Sequence, residues 1–276
     1  MPEVTPWDTN AQQFNVHSAT DRFEIDLNKL EFGVAANVMC AWPAVRALID
    51  ERRAQLDRAL HIVDFGCGTG GFAQQCDDGD DVVTGIDVSA KMIATARAST
   101  ARHIYYYNGG EQALNYFLHQ DVIAANLVTN YLSSLTAIAG GVARSLELGG
   151  RFFFADLNPG YVRECLRQGI IYSDPEPPEH ARHAILHFSD GAKRVTLWEP
   201  EDYQAAFSDF GLEFRSLSRP LLTEEFLRRF DSQIDPRYPR ALPRYGIYAF
   251  EKTREVRNPW QLSDAAQQIS QQSASL

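Results

Sequence analysis

Short runs of apolar residues alternate with longer amphipathic stretches along most of this chain. Four runs have the length and the β-branched or aromatic content of buried strands, at 62–65, 82–86, 121–127 and 151–156. Between the last two runs, apolar residues recur at helical spacing at Leu135, Ile138, Val142 and Leu146. A helix at this place is the crossover that two parallel strands require. The pattern therefore predicts an α/β fold with a parallel sheet.

The first strand runs into a glycine-rich turn, in the sequence HIVDFGCGTG at 61–70. Gly66, Gly68 and Gly70 lack the Cβ atom that would keep a ligand away from the backbone. The second strand ends in Asp87, a carboxylate suited to the two hydroxyls of a ribose. These features predict a site for a nucleotide-like cofactor. Because Gly71 completes the pattern G-x-G-x-x-G, the loop alone fits both NAD and S-adenosylmethionine (SAM).

The segment after the loop carries a more specific pattern. The sequence GIDVSAKMIATAR at 85–97 closely resembles the second strand and helix of class I SAM-dependent methyltransferases. Asp64 also matches the acidic residue of that family's first motif. The resemblance implies SAM as the cofactor and S-adenosylhomocysteine as the product. It places the loop glycines under the methionine moiety, Asp87 on the ribose and Met92 against the adenine.

The resemblance covers most of residues 40–252. It implies an α/β Rossmann-like fold with a seven-stranded, mostly parallel sheet, helices on both faces and a last strand inserted antiparallel. The third strand is expected at 103–107 and the last two at 212–217 and 245–252, and Gly149-Gly150 is expected to end the helix before the fifth strand.

One departure from the family concerns the adenine. Many members carry Gly-Asp after the third strand, where this chain has Asn108-Gly109-Gly110-Glu111. Adenine recognition is therefore left open between Asn108, Glu111 and the backbone. Asn126, after the fourth strand, is expected near the methionyl part of SAM. The full set of predicted cofactor-binding residues is Asp64, Gly66, Cys67, Gly68, Gly70, Asp87, Val88, Met92, Asn108, Gly110, Glu111, Asn126 and Leu127.

The chain outside the cofactor core is expected to form the substrate pocket. Residues 1–42 are predicted as an N-terminal lid segment, 43–252 as the methyltransferase domain and 253–276 as a mobile tail. A helix is expected to begin at Pro43, a favourable first helical position. Residues 159–199 are an insertion after the fifth strand, with an expected hairpin around Asp190-Gly191.

Bulk properties narrow the class of protein. The chain has 276 residues, a formal net charge of −10 and a pI near 5.2, so nothing in its charge favours a nucleic-acid partner. Its four cysteines form no C-x-x-C pair, which suggests the reducing cytoplasm. No signal peptide or membrane-spanning stretch is expected. The expected partner is a small-molecule substrate, and the expected state is a monomer or homodimer.

Methyl transfer from a sulfonium mainly requires positioning, and a general base is needed only when the acceptor must lose a proton. Candidate catalytic residues are His187, expected on an inward strand face, His17 in the lid segment and Tyr131 after the fourth strand. Each also has an ordinary structural interpretation. The predicted pocket residues are Phe14, Asn130, Tyr131 and Trp198. The histidines at 180, 183 and 187 fall in a predicted loop and strand, so no metal site is expected.

Three hypotheses follow. The leading one is a biosynthetic SAM-dependent methyltransferase that moves a methyl group to an O, N or C atom of a small aromatic or heterocyclic metabolite by in-line displacement. The second is an NAD-dependent oxidoreductase that uses the same loop, although the chain shows no second nucleotide-binding half. The third is a SAM-binding protein of the same fold that transfers no methyl group, because cofactor motifs report binding only.

Overall fold

A twisted seven-stranded sheet forms the centre of the molecule. The computed structural model describes residues 5, 7–8, 11, 14–18, 24–100, 103–171, 177–188 and 191–255. The strands in these ranges are β1 (His61–Phe65), β2 (Val82–Asp87), β3 (Tyr105–Asn108), β4 (Gln120–Asn126), β5 (Leu146–Leu157), β6 (His183–Phe188), β7 (Gly191–Thr196), β8 (Leu212–Ser218) and β9 (Tyr245–Lys252). Most of the predicted lid segment and tail, and Asp190 of the predicted hairpin, lie outside the described residues.

The strand order is β3-β2-β1-β4-β5-β9-β8, and β6 and β7 form a separate antiparallel pair. Six strands of the large sheet are parallel, and β9 runs antiparallel between β5 and β8. The predicted Rossmann-like sheet with its inserted antiparallel strand is therefore confirmed, as is the hairpin.

Helices cover both faces of the sheet. They are α1 (Phe32–Ala36), α2 (Trp42–Leu56), α3 (Gly71–Cys76), α4 (Ala90–Ser99), α5 (Leu135–Ser145), α6 (Pro159–Arg167), α7 (Pro200–Ser208) and α8 (Glu224–Arg229). Successive side chains of β1 enter different cores, because strand residues alternate between the two faces. Ile62 packs in one core with Ile49 of α2, whereas Val63 packs in the other with Ile138 of α5 and Phe207 of α7.

The predicted helix start at Pro43 is wrong. Helical backbone begins at Phe32 and passes through a π turn at Asn37–Ala41 before α2 begins. In this turn the Trp42 N–H donates to the carbonyl of Asn37, five residues earlier. Because of this wider turn, the helix continues through Pro43, which has no N–H to donate. The sequence pattern missed this because an internal proline usually marks a helix boundary.

This long helix also bears on the membrane prediction. The sequence analysis expects no membrane-spanning stretch, but Phe32–Leu56 is long and apolar enough to cross a membrane by length and composition alone. Ala35, Ala41, Val45 and Ile49 on it are fully buried against the rest of the chain. A core helix of a globular domain passes the same test of length and composition.

The predicted glycine cap before the fifth strand is also wrong. Helix α5 ends at Ser145, and Leu146 is already extended and begins β5. Gly149 lies inside β5 with φ +83°. Along β5 the register jumps from Leu146 opposite Gln120 to Arg151 opposite Val122, so the glycines form an irregularity within the strand.

Candidate active site

The glycine-rich loop is fixed at the carboxyl end of β2. The backbone N–H groups of Gly66 and Cys67 both donate to the carbonyl of Ile86, at 2.7 and 3.0 Å. The N–H of Gly68 donates to Oδ2 of Asp87 at 2.9 Å. The loop that follows β1 is therefore held in one conformation by the end of the neighbouring strand.

The loop glycines serve two different purposes. A Cβ on Gly66 would lie 2.2 Å from Cγ2 of Val128, and one on Gly70 would lie 2.4 Å from the hydroxyl of Tyr106, so the protein itself excludes a side chain at both. A Cβ on Gly68, which has φ +54°, would meet no protein atom within 4 Å. Gly68 therefore faces an open cradle in which a ligand can approach the backbone.

Asp87 lies beside this cradle and is anchored by the backbone. Its Oδ1 accepts from the N–H of Ser89 at 2.8 Å, and its Oδ2 accepts from Gly68. Burial raises the pKa of Asp87 above its ordinary value, although these two hydrogen bonds act to lower it. A carboxylate has about four lone-pair sites, so the anchored group can still accept hydrogen bonds from two hydroxyls.

Asp64 lies within β1, below the loop, and is 1 % exposed. Its Oδ2 has no hydrogen-bond partner among the described residues. Burial, reinforced by the negative charge of Asp87, raises the pKa of Asp64 to about 8, against the opposing effect of the Ala73 N–H. Most Asp64 side chains are therefore neutral at pH 7 until a cation comes close.

At the end of β4, Asn126 presents an unsatisfied amide. Neither its Nδ2 nor its Oδ1 has a hydrogen-bond partner in the described ranges, although both atoms are buried. Leu127, which follows, has φ +56° and donates its N–H to the carbonyl of Ala155 at 2.9 Å. Because unpaired buried amides are rare in native proteins, Asn126 indicates a polar ligand at this strand end.

The residues predicted to receive the adenine lie differently from the sequence expectation. The Nδ2 of Asn108 donates to the carbonyls of Asp87 and Val88, both at 2.9 Å, so this amide shapes the pocket wall. Val88 is 43 % exposed, whereas Met92 is only 3 % exposed. A side chain needs free surface to contact a ring, so Val88 is better placed than Met92 to pack on an adenine. Glu111 and Gly110 follow at the start of a 3₁₀ turn.

Aromatic side chains from distant parts of the chain meet beyond the cradle. Trp7 packs edge-on against Tyr131, with ring centroids 4.6 Å apart, and lies 6.2 Å from Phe14. The Nζ of Lys193, on β7, lies 4.2 Å from the centre of the Trp7 ring. Burial raises the pKa of Tyr131, so its phenol is neutral at physiological pH. This cluster brings together two predicted pocket residues, Phe14 and Tyr131, and two that sequence reasoning missed, Trp7 and Lys193.

The loop after β4 rests on a buried polar network that the sequence did not reveal. Thr129 donates to Oδ2 of Asp156 at 2.5 Å, and the hydroxyl of Tyr203 donates to the same oxygen. Burial raises the pKa of Asp156 to about 6, although both hydroxyls act to lower it. The indole N–H of Trp198 donates to the carbonyl of Thr129 at 3.0 Å. Trp198 therefore positions this loop, on which the predicted pocket residue Asn130 is buried.

The two candidate histidines lie apart from each other. Contrary to the prediction of an inward face, His187 is exposed, because Ala184 and its partner Val195 take the buried face of the hairpin and strand residues alternate. His17 is 3 % exposed, and its Nε2 lies 2.8 Å from the carbonyl of Thr69. A carbonyl only accepts, so this nitrogen donates and holds the glycine-rich loop.

A cavity of about 300 Å³ opens beside His17, lined by His17, Glu24, Ile25, Gly71, Gln74 and Gln75. Gly71 of the glycine-rich motif lines it, whereas Gly68, Asp87 and Asn126 do not. In the part of the chain that the structure describes, no three His, Cys, Asp or Glu side chains are grouped as metal ligands.

We expect His187→Ala to leave methyl transfer unchanged, because its imidazole is exposed and lies on the face of the hairpin opposite the buried Ala184 and Val195. Turnover measured with labelled SAM and the true acceptor should stay within about twofold of the wild type, since substitutions of exposed residues change the free energy of unfolding little. A loss of tenfold or more with an intact fold would restore the catalytic assignment.

Comparison with known proteins now decides the family. A model of a methyltransferase domain family matches residues 39–217, well over half of the chain. The chain belongs to this methyltransferase family. The methyltransferase is a member of the class I SAM-dependent superfamily and uses SAM as its cofactor, which decides against the NAD-dependent oxidoreductase.

Relatives and solved structures agree with this assignment. The chain is 34 % identical over 112 residues to a malonyl-[acyl-carrier protein] O-methyltransferase of Erwinia pyrifoliae, and 31 % identical over 136 residues to one of Pectobacterium atrosepticum. These matches cover 40 % and 48 % of this chain and 42 % and 54 % of the relatives, so the chain spans about half of their length. The fold resembles a magnesium protoporphyrin IX methyltransferase of Synechocystis with bound S-adenosylhomocysteine, at TM-score 0.56, 11 % identity and coverage of 89 % and 95 %.

The residues present fit SAM. The open space at Gly68 admits a ligand against the backbone, and the unpaired atoms of Asp64, within β1, and Asn126, at the end of β4, lie on neighbouring strands. Asp87, Val88 and Asn108 form the neighbouring wall. The specific contacts of these residues with the parts of SAM stay predictions.

From the raised pKa of Asp64 we expect the affinity for SAM to depend on pH. SAM carries a net positive charge, which favours the ionised carboxylate, whereas the buried group alone is neutral below about pH 8. Below that pH, binding of SAM must also remove the proton from Asp64, and the free-energy cost of this step falls as the pH approaches the pKa. The affinity for SAM should therefore increase from pH 6 to pH 7.5, by up to about tenfold per pH unit. Calorimetric titration with SAM at a series of pH values measures this.

Asp64→Asn provides the control, because it keeps the shape of the side chain and removes the ionisation. We expect the affinity of this variant for SAM to be flat over the same pH range. An equal slope in the wild type and the variant would assign the pH dependence to another group.

Proposed function

We propose that the methyltransferase moves the methyl group of SAM to a carboxylate oxygen of a small acyl substrate, which a carrier protein or another thioester can present. The names of the curated relatives support this substrate class, since they are O-methyltransferases of a malonyl group on an acyl carrier protein. An acyl carrier protein is then a partner. This proposal takes a carboxylate in place of the aromatic or heterocyclic acceptor that the sequence predicts.

The observation that carries the proposal is the absence of a positioned general base from the described acceptor side. The phenol of Tyr131 has a raised pKa, the ring of His17 holds the glycine-rich loop, and His187 is exposed on the hairpin face opposite Ala184. A phenol or alcohol acceptor would need such a base. A carboxylate is already ionised at neutral pH and needs none.

The mechanism is an in-line displacement governed by positioning. When bound, SAM supplies an electrophilic methyl group on a sulfonium, whose sulfur departs neutral. Asp87, the backbone at Gly68 and Asn126 orient the cofactor, while Trp7 and Tyr131 cover the acceptor side and exclude water. Positioning of this kind supplies roughly 7–11 kcal/mol in favourable cases.

A direct test uses labelled SAM and a set of acceptors that differ in the chemistry of the accepting atom. Malonyl-pantetheine and malonyl-acyl carrier protein are compared with a phenol, an aromatic amine and a thiol. We expect label in a base-labile methyl ester of the malonyl compounds. Transfer to the phenol or amine alone would overturn the carboxylate proposal.

A small aromatic acceptor is the second candidate, because Trp7, Phe14 and Tyr131 offer ring surfaces on which it could stack. For the cellular location we propose the cytoplasm. All four cysteines are free thiols, and Cys67, Cys76 and Cys165 are buried, which suits a reducing compartment.

A further inference from the structure

Arg244, which has no carboxylate partner among the described residues, lies at the edge of the sheet that carries the candidate site. Arg244 directly precedes β9, whose first residue, Tyr245, pairs with Leu157 at the carboxyl end of β5. One strand further along, Asn126 is level with Ala155 of β5. Arg244 therefore lies at the same edge as the unsatisfied amide of Asn126, two strands away.

The guanidinium of Arg244 is surrounded by aromatic rings. Its Nη1 donates to the hydroxyl of Tyr161 at 2.8 Å and its Nε to the hydroxyl of Tyr245 at 3.0 Å. Its centre lies 5.3 Å from the rings of Phe32 and Tyr161, and 5.6 Å from that of Tyr245. Among the described residues no carboxylate lies within 4 Å of the group, and the hydroxyl of Tyr238 is a further polar neighbour.

The neighbouring phenols do not neutralise this charge. Burial raises the pKa of Tyr245 to about 12 and that of Tyr161 further, although Arg244 itself acts to lower both. Both phenols are therefore neutral at physiological pH, whereas a guanidinium is always charged in proteins. The cage holds a net positive charge that no side chain described here offsets.

A second polar group in the cage lacks a well-formed hydrogen bond. Tyr238 is 8 % exposed, and its ring lies 5.5 Å from that of Tyr161 and 5.1 Å from that of Phe32. Its hydroxyl neighbours the Arg244 guanidinium and the Tyr161 hydroxyl but makes no hydrogen bond of good geometry among the described residues. Leaving a buried hydroxyl unpaired is costly, so a ligand that accepts a hydrogen bond here would be favoured.

We propose that Arg244 and Tyr238 bind the carboxylate of the methyl acceptor and select anionic acceptors over neutral ones. The inference rests on the proposed carboxylate substrate and names the residues that recognise it. A guanidinium and a hydroxyl are both hydrogen-bond donors, and a carboxylate accepts from both while balancing the charge of the cage. The other arginines on the same segment are already paired: Arg237 with Asp235, and Arg240 with Asp231.

Binding without turnover tests this assignment. The enzyme saturated with S-adenosylhomocysteine is titrated calorimetrically with malonyl-pantetheine and with its methyl ester, which lacks the charge. We expect the wild type to bind the free acid at least about tenfold more tightly than the ester. Arg244→Gln should weaken binding of the acid about ten- to hundredfold and leave the ester unchanged, and Arg244→Lys should recover part of the loss.

Two further variants keep the test decisive. Arg240→Gln removes the same charge from a paired, exposed position and should bind the acid as the wild type does. Tyr238→Phe removes only the unpaired hydroxyl and should weaken binding of the acid severalfold, which decides the matter if Arg244→Gln does not fold. Affinity for S-adenosylhomocysteine should be unchanged in each. Equal binding of acid and ester by the wild type, or no effect of either cage variant, would overturn the assignment.

Methyl transfer from labelled SAM separates this inference from the proposed function. If the wild type methylates malonyl-pantetheine while Arg244→Gln and Tyr238→Phe bind it normally, the cage assignment fails and the function stands. If the acid binds in an Arg244-dependent way but receives no methyl group, the site stands and the proposed function fails.

Discussion

Replacing Gly68 with valine is expected to remove most of the affinity for SAM while the chain still folds. A Cβ at this position meets no protein atom within 4 Å, so the side chain would occupy only the cradle. Forcing extra methyl groups into space that another group must fill costs about 1–3 kcal/mol or more. The affinity for SAM should therefore fall at least about ten- to hundredfold, as calorimetric titration measures.

Gly79→Val is a matched control for this variant. Gly79 has φ +90° and also faces open space, but it lies in an exposed turn between α3 and β2. Both substitutions carry the strain of a β-branched residue at positive φ, of order 1–3 kcal/mol. We expect similar losses of thermal stability and a loss of SAM binding in Gly68→Val alone. Normal SAM affinity in Gly68→Val would show that the cradle lies elsewhere.

Replacing Asp87 with alanine should weaken SAM binding about ten- to hundredfold. The carboxylate is predicted to accept hydrogen bonds from the ribose, and hydrogen bonds to a charged group contribute about 1.5–3 kcal/mol. The variant also releases the N–H of Gly68, so the loop loses one of its fixed points. Titration with SAM and with S-adenosylhomocysteine should show the same loss, because both carry the ribose.

Asp77→Ala controls for the loss of a carboxylate that accepts a backbone hydrogen bond. Asp77 accepts from the N–H of Gly79 at 3.0 Å, away from the cradle. We expect unchanged SAM affinity in this variant. The ribose assignment of Asp87 would be wrong if both variants bound SAM equally well and as tightly as the wild type.

The sheet was predictable because its signals are local. The strands β1 and β4 are visible in the sequence as apolar runs. Their crossover helix α5 is visible as apolar residues at helical spacing between β4 and β5. The failures came where tertiary packing overrode local rules. A π turn lets the helix continue through Pro43, where the local rule expects a helix start. Gly149 lies at an irregularity within β5, whereas the local rule expects a glycine there to end the preceding helix.

The candidate site divides along the same line. The proximity of the predicted cofactor residues could be foreseen because Asp87 and Asn126 end strands and Gly68 follows one, so that order along the sequence fixes position in space. The grouping of Trp7, Lys193 and Arg244 could not, since they come from segments with no shared motif. Only the folded chain shows that Lys193 lies over Trp7 and that no carboxylate of the described residues pairs with Arg244.

The placement of these residues also affects how the enzyme can change over time. Trp7 and Tyr131 lie outside every strand, and Lys193 lies on a hairpin that pairs only with itself. A substitution at any of them alters what an acceptor meets without disturbing the pairing of the large sheet. Substitutions at the cradle, by contrast, act on a loop bonded to that sheet. The acceptor preference can therefore change among descendants of this chain while the fold and SAM binding are retained.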